Sequence, residues 1–408
     1  MAGVVLALAT AATGLMAPGA SGATAKGTQI VIGSIETQTG APGQTGKVTT
    51  AQDTLNAWAK WENAKGGING HPVKVITLND KADPAQASAD LKELVEQDHV
   101  VAIVGNSASS TEPTWKNYIE SAKVPVIGGA QYSLNWFTSP MFYPVSTTVL
   151  SNVWGQVYAA KNAGKTKYAS LLCSNSSVCQ GAAALIKQAA GQLGVDIVYN
   201  ALADANAPSY TPQCLAMKDS GANVMGPQGV NNVTLIRDCN RQNYKPLIIT
   251  TNFVYSLDQI AQTPQFEGLV GPTPSIDPYN SYSVTKDRDA AIKKYARAYA
   301  PGGKQYKSGA TMLAMSDAWE AGLAFEKAVK NANIPAGQRV TAADVIKGLA
   351  MFSGETLGGS NPPLTYSDGT KPNDQVRCFY LYTIKKHKYV DQLGSNKLPK
   401  LFCQPKAA

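Results

Sequence analysis

The sequence predicts an α/β protein with two Rossmann-like lobes, each built around a parallel β-sheet. Short apolar segments rich in β-branched residues alternate with amphipathic segments of helical length, which is typical of a parallel sheet covered by helices on both faces. The alternation restarts after a connecting stretch at 143–148, which indicates a second sheet. With 408 residues, of which 44% are hydrophobic and 16% charged, the chain has the size and composition of a folded protein of two or three domains.

The N-terminal segment has the features of a secretory signal peptide. An uncharged apolar stretch at 4–17 is followed by small residues, including Ser21 and Ala23, which suit the positions before a cleavage site. The apolar core is shorter than the roughly 20 residues that a membrane-spanning helix needs. We therefore expect residues 1–23 to be removed and the protein to be exported, soluble in the periplasm or at the outside of the cell.

Export also bears on the six cysteines, because an oxidising compartment preserves disulfide bonds. The paired CxxC spacing typical of zinc sites is absent, and we predict no metal site. Free buried thiols remain an alternative, since unpaired cysteine packs well in protein cores. We favour pairs between neighbours in sequence: Cys173 with Cys179, Cys214 with Cys239, and Cys378 with Cys403.

The first lobe is predicted to begin with four strands separated by helices. Asp83 and Pro84 mark the start of one helix, because Asp is favoured at the N-cap and Pro at the first helical position. The predicted strands are 30–35, 73–78, 100–104 and 124–127, and the helices are 51–64, one beginning at about 84, and 113–122.

The second half of the chain repeats this pattern and then changes. We predict helices at 151–163, 181–193, 210–220 and 230–242, with strands at 168–172, 195–199, 222–225 and 246–250. Three further helices are predicted at 285–299, 308–331 and 341–350. The C-terminal part contains two segments, 377–385 and 388–393, that predict a polar hairpin with its turn at Lys386 and His387.

Loops that follow strands are the expected ligand positions, because ligands bind open α/β sheets beyond the carboxyl ends of the strands. Ser109 and Ser110 lie directly before a predicted helix, and Tyr132 follows the fourth strand. We expect an acceptor group of a ligand to contact the two serines, with Tyr132 as an aromatic wall. The alternative is that these hydroxyl groups only cap the helix.

Several classes of function are disfavoured. The loop 40–47 resembles a phosphate-binding loop, but its glycine spacing is wrong and Val48 occupies the position of the required hydroxyl residue. Lys and Arg exceed Asp and Glu by 36 to 28, yet they are dispersed, which is not the pattern of a nucleic-acid-binding arm. We therefore predict no cofactor and no nucleic-acid partner.

Enzyme motifs are also missing. The chain has three histidines and no GxSxG or HExxH motif, so we predict no catalytic residue. A pair of carboxylates distant in sequence would not be visible at this level, which leaves a secreted hydrolase as an alternative. A sensory domain that serves a membrane receptor is a second alternative.

Motifs spread over 29–368 resemble those of the branched-chain amino acid binding proteins of ABC importers. The longest is the run from Glu62 to Gly70. The others, in order, are Gly33 to Gly46, Asp80 with Asp83 and Pro84, Val100 to Gly105, Ser109 to Pro113, Gly221 with Ala222, Glu267 with Gly268, and Ser316 to Gly322. This resemblance implies a type I periplasmic binding protein, in which two lobes joined by three hinge segments close on a solute.

The resemblance also implies partners and a division of the chain. The partners are a small-molecule ligand and the permease of an ABC transporter, and the protein is expected to be a monomer without enzymatic activity. The first lobe would comprise 28–146 and 276–350, and the second lobe 147–275 and 351–408.

Carried over by position, the family's ligand contacts place its carboxylate at Ser109 or Ser110 and in the loop that contains Ala130, Gln131 and Tyr132. Contacts from the second lobe fall on Gln180, Gln228, Asn252 and Phe253. Family members that bind amino acids usually have an acidic residue after the strand that ends here at Thr250, to pair with the ammonium group. This chain has none there, and an unpaired buried ammonium costs several kcal/mol. The resemblance therefore predicts a neutral or carboxylate-bearing solute, aromatic compounds included.

Overall fold

The computed structural model describes residues 25–40, 46–174, 177–250, 255–307 and 312–405. The predicted signal peptide at 1–23 lies outside this range, as do Asn252 and Phe253.

The first sheet is parallel and has five strands in the order β2-β1-β3-β4-β5. Its carboxyl-terminal edge ends in the loops where ligand contacts are predicted. The predicted strands are present, although the third begins three residues later than expected. The strands are β1 (Ile30–Glu36), β2 (Val73–Asn79), β3 (Ile103–Asn106), β4 (Val126–Gly129) and β5 (Phe142–Tyr143).

Helices cover both faces of this sheet. Leu55, Trp58 and Phe325 are fully buried where α1 packs on a later helix, α11 (Met312–Ala332). Asp83 caps α2 through its carboxylate, as the sequence predicts. The helices that connect these strands are α1 (Thr50–Ala64), α2 (Pro84–Lys92), α3 (Lys116–Ala122) and α4 (Asn135–Thr138).

The second sheet is also parallel, with four strands in the order β7-β6-β8-β9. It confirms the second lobe that the restarted pattern predicts. Its helices are α5 (Val149–Asn162), α6 (Ser177–Leu193), α7 (Thr211–Asp219), α8 (Asn232–Arg241) and α9 (Leu257–Gln262), and its strands are β6 (Lys167–Cys173), β7 (Asp196–Ala203), β8 (Val224–Gln228) and β9 (Leu247–Ile248).

After β10 (Val270–Thr273), the chain returns to the first lobe and forms α10 (Lys286–Tyr295), α11 (Met312–Ala332) and α12 (Ala342–Leu349). Two short strands, β11 (Ser353–Glu355) and β12 (Leu364–Thr365), form an antiparallel pair. Single turns of 3-10 helix occur at Glu112–Thr114, Pro264–Phe266, Arg297–Tyr299 and Leu357–Gly359, and a π-helical turn at Glu93–Gln97 extends α2.

The C-terminal hairpin is present but is not polar. β13 (Cys378–Lys385) and β14 (Lys388–Asp391) pair around Lys386 and His387, both at positive φ. However, β13 is flanked by β10, β14 and β15 (Leu401–Cys403), and its Phe379, Leu381 and Tyr382 are buried. A bridge between Ile249 and Val270 joins this antiparallel sheet to the second sheet. Because the ends of the hairpin are charged, the sequence did not indicate that β13 lies between other strands.

The boundary at 351 is wrong for the first part of the segment assigned to the second lobe. Phe352, Leu364 and Tyr366 are buried in the same core cluster as Trp58 and Phe325, so this stretch packs with the first lobe. Only from β13 onward does the chain pack with the second lobe. The sequence between the two parts contains no change of composition that would mark the crossing.

Three segments cross between the lobes, at 144–148, 274–277 and 367–377. Two of them are held side by side where they leave the first sheet. The Tyr366 hydroxyl donates to the Pro144 carbonyl at 2.8 Å, and the Asn373 amide donates to the Phe142 carbonyl at 2.9 Å. At the second lobe, the Thr147 hydroxyl donates to the Cys378 carbonyl. These contacts join two of the three segments of the predicted hinge.

All three predicted disulfides are present: Cys173 with Cys179, Cys214 with Cys239, and Cys378 with Cys403. The last of these links β13 to β15.

Candidate ligand-binding site between the lobes

A cavity of about 470 Å³ lies between the two lobes beside the crossing segments. Its volume is within the range of small-molecule binding sites. Both lobes and the hinge contribute to its surface. The lining residues are Gly129, Gln131, Tyr132, Ser146, Thr147, Val149, Asn152, Val153, Gln156, Cys179, Pro227, Gln228, Gly229, Val230, Asn231, Asn232, Val233, Thr250, Tyr255, Gln259, Pro274 and Asp317.

Close packing of α11 against the first sheet forms the first-lobe wall. A Cβ at Gly128 would lie 2.7 Å from the Cβ of Ala321, and one at Gly105 would lie 3.3 Å from the Cα of Ala318. Both glycines lie within buried strands, Gly105 in β3 and Gly128 in β4, and both have positive φ. The lack of side chains there allows the first turns of α11 to approach the carboxyl ends of β3 and β4, which brings Asp317 to the cavity.

Gln131 presents an amide from the loop after β4. The residue is 4% exposed, and its Nε2 donates to the Ser146 hydroxyl at 2.5 Å. Its Oε1 is buried without a hydrogen-bond partner in the described part of the chain. Such an atom is costly unless a ligand or water satisfies it, so Gln131 offers an acceptor to a solute.

Gln156 has the complementary role on the second-lobe wall. It is fully buried on α5, and its Oε1 accepts from Gln228 Nε2 at 3.1 Å and from the Tyr168 hydroxyl at 3.4 Å. Its Nε2 has no partner among the residues described. These contacts fix the amide, so that its donor group remains available to a ligand.

The far end of the second-lobe wall is a set of linked side chains. The Asn232 amide donates to the Tyr255 hydroxyl at 2.5 Å, and the Tyr255 ring packs on Phe266 with centroids 4.2 Å apart. The Tyr389 hydroxyl donates to the Tyr255 carbonyl at 2.9 Å. Asn232 Oδ1 is buried and without a described partner. This wall therefore adds a second unsatisfied acceptor to the cavity.

The disulfide between Cys173 and Cys179 supports the loop after β8. A Cβ at Gly229 would lie 2.6 Å from the Cys179 sulfur and 2.7 Å from the Cys173 sulfur. Gln228, Gly229 and Cys179 all line the cavity. The bridge therefore packs directly against the backbone that presents Gln228.

We expect the double variant Cys173→Ser/Cys179→Ser to bind its solute several-fold more weakly, because the loop at 228–230 loses a fixed support. The double variant Cys214→Ser/Cys239→Ser is the control: it opens a larger loop, with a sequence separation of 25, and lies away from the cavity. That variant is expected to lose about 3 kcal/mol of stability with little change in affinity. Urea unfolding and calorimetric titration of both variants measure the two effects. Equal affinity losses in the two would contradict a local role for the first bridge.

Asp317 is a site residue that sequence reasoning missed. Its Oδ1 is buried and has no partner in the described chain, and burial raises the pKa of the Asp317 carboxyl to about 8. The negative charge of Asp317 in turn raises the pKa of the Tyr132 hydroxyl, after burial as the larger cause. In the sequence, Asp317 lies within the Ser316 to Gly322 motif, but that motif does not show which of its residues faces a ligand. The buried face of α11 also carries Ser316, Glu320 and Glu326, so a polar residue on this helix does not by itself mark the site.

The structure brings only some of the predicted ligand contacts together. Gln131, Tyr132 and Gln228 line the cavity, and Ala130 lies beside them, partly buried. Ser109 and Ser110 are exposed and are not among the residues that line it. Gln180 lies in α6, with its side chain outside the described part, and Asn252 and Phe253 are likewise outside it. Ligand contact by any of these residues stays a prediction.

The fold and the cleft define a two-lobed solute-binding protein, and comparisons with known proteins agree. The profile of a family described as periplasmic binding protein matches residues 29–388. The chain belongs to the periplasmic binding protein family. Within its described residues, no helix is both long and apolar enough to cross a membrane.

Part of the chain is similar in sequence to known proteins. The chain is 26% identical over 273 residues to an amino acid binding protein from Pseudomonas aeruginosa, and this alignment covers 63% of this chain and 70% of the relative. The chain is 27% identical over 245 residues to a Leu/Ile/Val-binding protein homologue from Brucella abortus, and this alignment covers 57% of this chain and 65% of the relative. The second alignment spans slightly less than two thirds of its relative.

Solved structures share the fold over nearly the whole chain. A branched-chain amino acid ABC transporter protein from Thermus thermophilus with bound valine has a TM-score of 0.73 at 13% identity and covers 93% of this chain and 97% of its own. A solute-binding protein from R. palustris in complex with 4-hydroxybenzoate has a TM-score of 0.69 at 19% identity, with coverages of 92% and 98%. At these identities the likeness supports the type I fold.

Proposed function

We propose that this protein is the exported solute-binding component of an ABC importer. It captures a small organic solute in the cleft between its lobes and presents the solute to a membrane permease as a monomer. Its relatives are named as amino acid and Leu/Ile/Val-binding proteins, and related folds hold valine or 4-hydroxybenzoate. These names support a small organic solute.

The observation that carries the proposal is that unsatisfied polar atoms face one cavity from both lobes. Gln131 Oε1 belongs to the first lobe, and Gln156 Nε2 belongs to the second. A solute that bonds to both is bound more tightly when the lobes are closed, and this difference shifts the population toward closure. A shift from mostly open to mostly closed requires about 5.5 kcal/mol of differential binding, which a few buried contacts supply.

A thermal-shift screen against amino acids, amines, amides and aromatic acids tests the proposal, because a ligand of the native state raises the melting temperature. For a compound that binds, Gln156→Ala is expected to weaken affinity by about 1 to 3 kcal/mol, the usual loss for a buried hydrogen bond. Gln265→Ala is the control, since Gln265 is exposed on the far side of the second lobe. The absence of any binder, or chemical conversion of the bound compound, would contradict the proposed function.

A further inference from the structure

Asp317 is the only acidic residue among those that line the described cavity, and no lysine, arginine or histidine is among them. The cavity therefore has no described cation to pair with this carboxylate. The acid lies on α11, in the first lobe. An acid in such a position is expensive to ionise unless a positive group accompanies it.

The groups around Asp317 do not supply that positive charge. Tyr132, from the loop after β4, and Glu320, one turn further along α11, are the titratable groups whose pKa values respond to Asp317. Arg288 lowers the pKa of Glu320, which is raised overall by burial, and Arg288 itself forms an ion pair with Asp289 at 3.0 Å. Neither neighbour that senses Asp317 carries a positive charge.

The buried side-chain atoms that line the cavity without described partners, Asp317 Oδ1 included, are mainly acceptors. Gln131 Oε1, Asn232 Oδ1 and Asp317 Oδ1 are buried acceptors without partners in the described chain, whereas Gln156 Nε2 is a donor without one. Gln131 and Gln156 are both more than nine-tenths buried. A solute that complements this set must donate more hydrogen bonds than it accepts, and an alkylammonium group has three donors and no acceptor.

We propose that Asp317 is the cation-binding residue of the cleft and that the solute carries a primary ammonium group. This inference rests on the proposed function and names the class of its solute. It replaces the neutral or carboxylate-bearing solute that the sequence predicts from the lack of an acid after Thr250. The acid is supplied instead from α11, on the opposite lobe. A simple amine and a zwitterionic amino acid share this ammonium group.

The test uses probes that differ only in their charged groups. Phenethylamine carries the ammonium alone, phenylalanine carries ammonium and carboxylate, and 3-phenylpropionate carries the carboxylate alone. The series 3-methylbutylamine, leucine and 4-methylpentanoate repeats the comparison without an aromatic ring. Each probe is titrated calorimetrically into the wild-type protein, into Asp317→Asn, and into Asp219→Asn, a control for an exposed acid at the end of α7.

We expect the ammonium-bearing probes of at least one series to bind the wild-type protein, and the carboxylate alone to bind at least tenfold more weakly. Asp317→Asn should lose roughly 10- to 100-fold in affinity for the ammonium probes, as for loss of a charged hydrogen bond, while Asp219→Asn should match the wild type. The ratio of amine to amino acid affinity then shows which of the two sources is preferred, and either result supports the inference.

Some outcomes would overturn it. Equal affinity for the carboxylate and the amine, or unchanged amine binding by Asp317→Asn, would contradict the cation-binding role of Asp317 but leave the proposed solute-binding function intact. Binding of no probe by the folded protein would overturn the ammonium class. If the wider thermal-shift screen also finds no binder, the proposed function fails with it. Circular dichroism of Asp317→Asn, expected to match the wild type, separates a lost contact from a lost fold.

Discussion

Gly128→Ala is expected to destabilise the protein by about 2 to 5 kcal/mol, because two penalties add. Gly128 has a φ of 58°, a left-handed conformation that costs an alanine about 1 to 2 kcal/mol. The new methyl group would also lie 2.7 Å from the Cβ of Ala321 and 2.9 Å from a methyl carbon of Val145. Overpacking of this kind typically costs a further 1 to 3 kcal/mol.

Gly164→Ala is the matched control for this experiment. Its φ is 68°, but nothing lies within 4 Å of the position of its Cβ, so only the backbone penalty of about 1 to 2 kcal/mol is expected. Urea unfolding of both variants with disulfides intact measures the difference. If the two losses are equal, α11 does not pack as closely on β4 as described. The Gly128 variant should also bind its solute more weakly, because α11 carries Asp317.

The affinity for phenethylamine is expected to rise with pH, by up to about tenfold per unit between pH 6 and 8. Burial raises the pKa of Asp317 to about 8, so below that pH most of the unliganded protein holds the carboxyl protonated. An ammonium group binds the ionised form. An alkylammonium keeps its own proton to about pH 10, so the change reports the protein. Above pH 8 the affinity should level off.

Calorimetric titrations in two buffers of different ionisation enthalpy measure the proton released on binding, which should approach one near pH 7. Asp317→Asn should remove both the pH dependence and the proton release. Tyr132 and Glu320 also respond to Asp317, and Tyr132→Phe serves as a control that keeps the carboxyl. An affinity that is constant from pH 6 to 8 in the wild-type protein, or that falls, would contradict ionisation of Asp317 on binding.

Local sequence patterns predicted much of the fold, but not the contacts between residues that are far apart in sequence. The alternation of apolar strands with amphipathic helices, the Asp83 cap and the disulfide pairs all involve residues near each other in sequence, and each prediction is confirmed. The burial of β13 and the docking of Phe352 in the first lobe depend on neighbours far away in sequence. Charged residues at the ends of β13 gave no hint of the strands that cover it.

Some residues of the candidate site could likewise be predicted from the sequence, and others could not. Gln131, Tyr132 and Gln228 could be predicted, because residues at or just beyond the carboxyl ends of parallel strands collect at one edge of the sheet. Gln156 and Asp317 could not, since each lies on a helix whose pattern indicates only packing. Their role follows from which polar atoms are left unsatisfied, and that depends on every neighbour at once.

The amino-acid sequence by itself determined the α/β class, the two lobes, the family resemblance and the covalent cross-links, because these follow from periodicity, local caps and motif order. Only the tertiary structure decided which side chains face the cleft, and that the acid lining it, Asp317, lies on α11. The physical reason is that burial and hydrogen-bond satisfaction are properties of the packed chain. The close approach of α11 to Gly128, for example, determines which side chains are buried near the cleft, but it produces no recognisable pattern in the sequence.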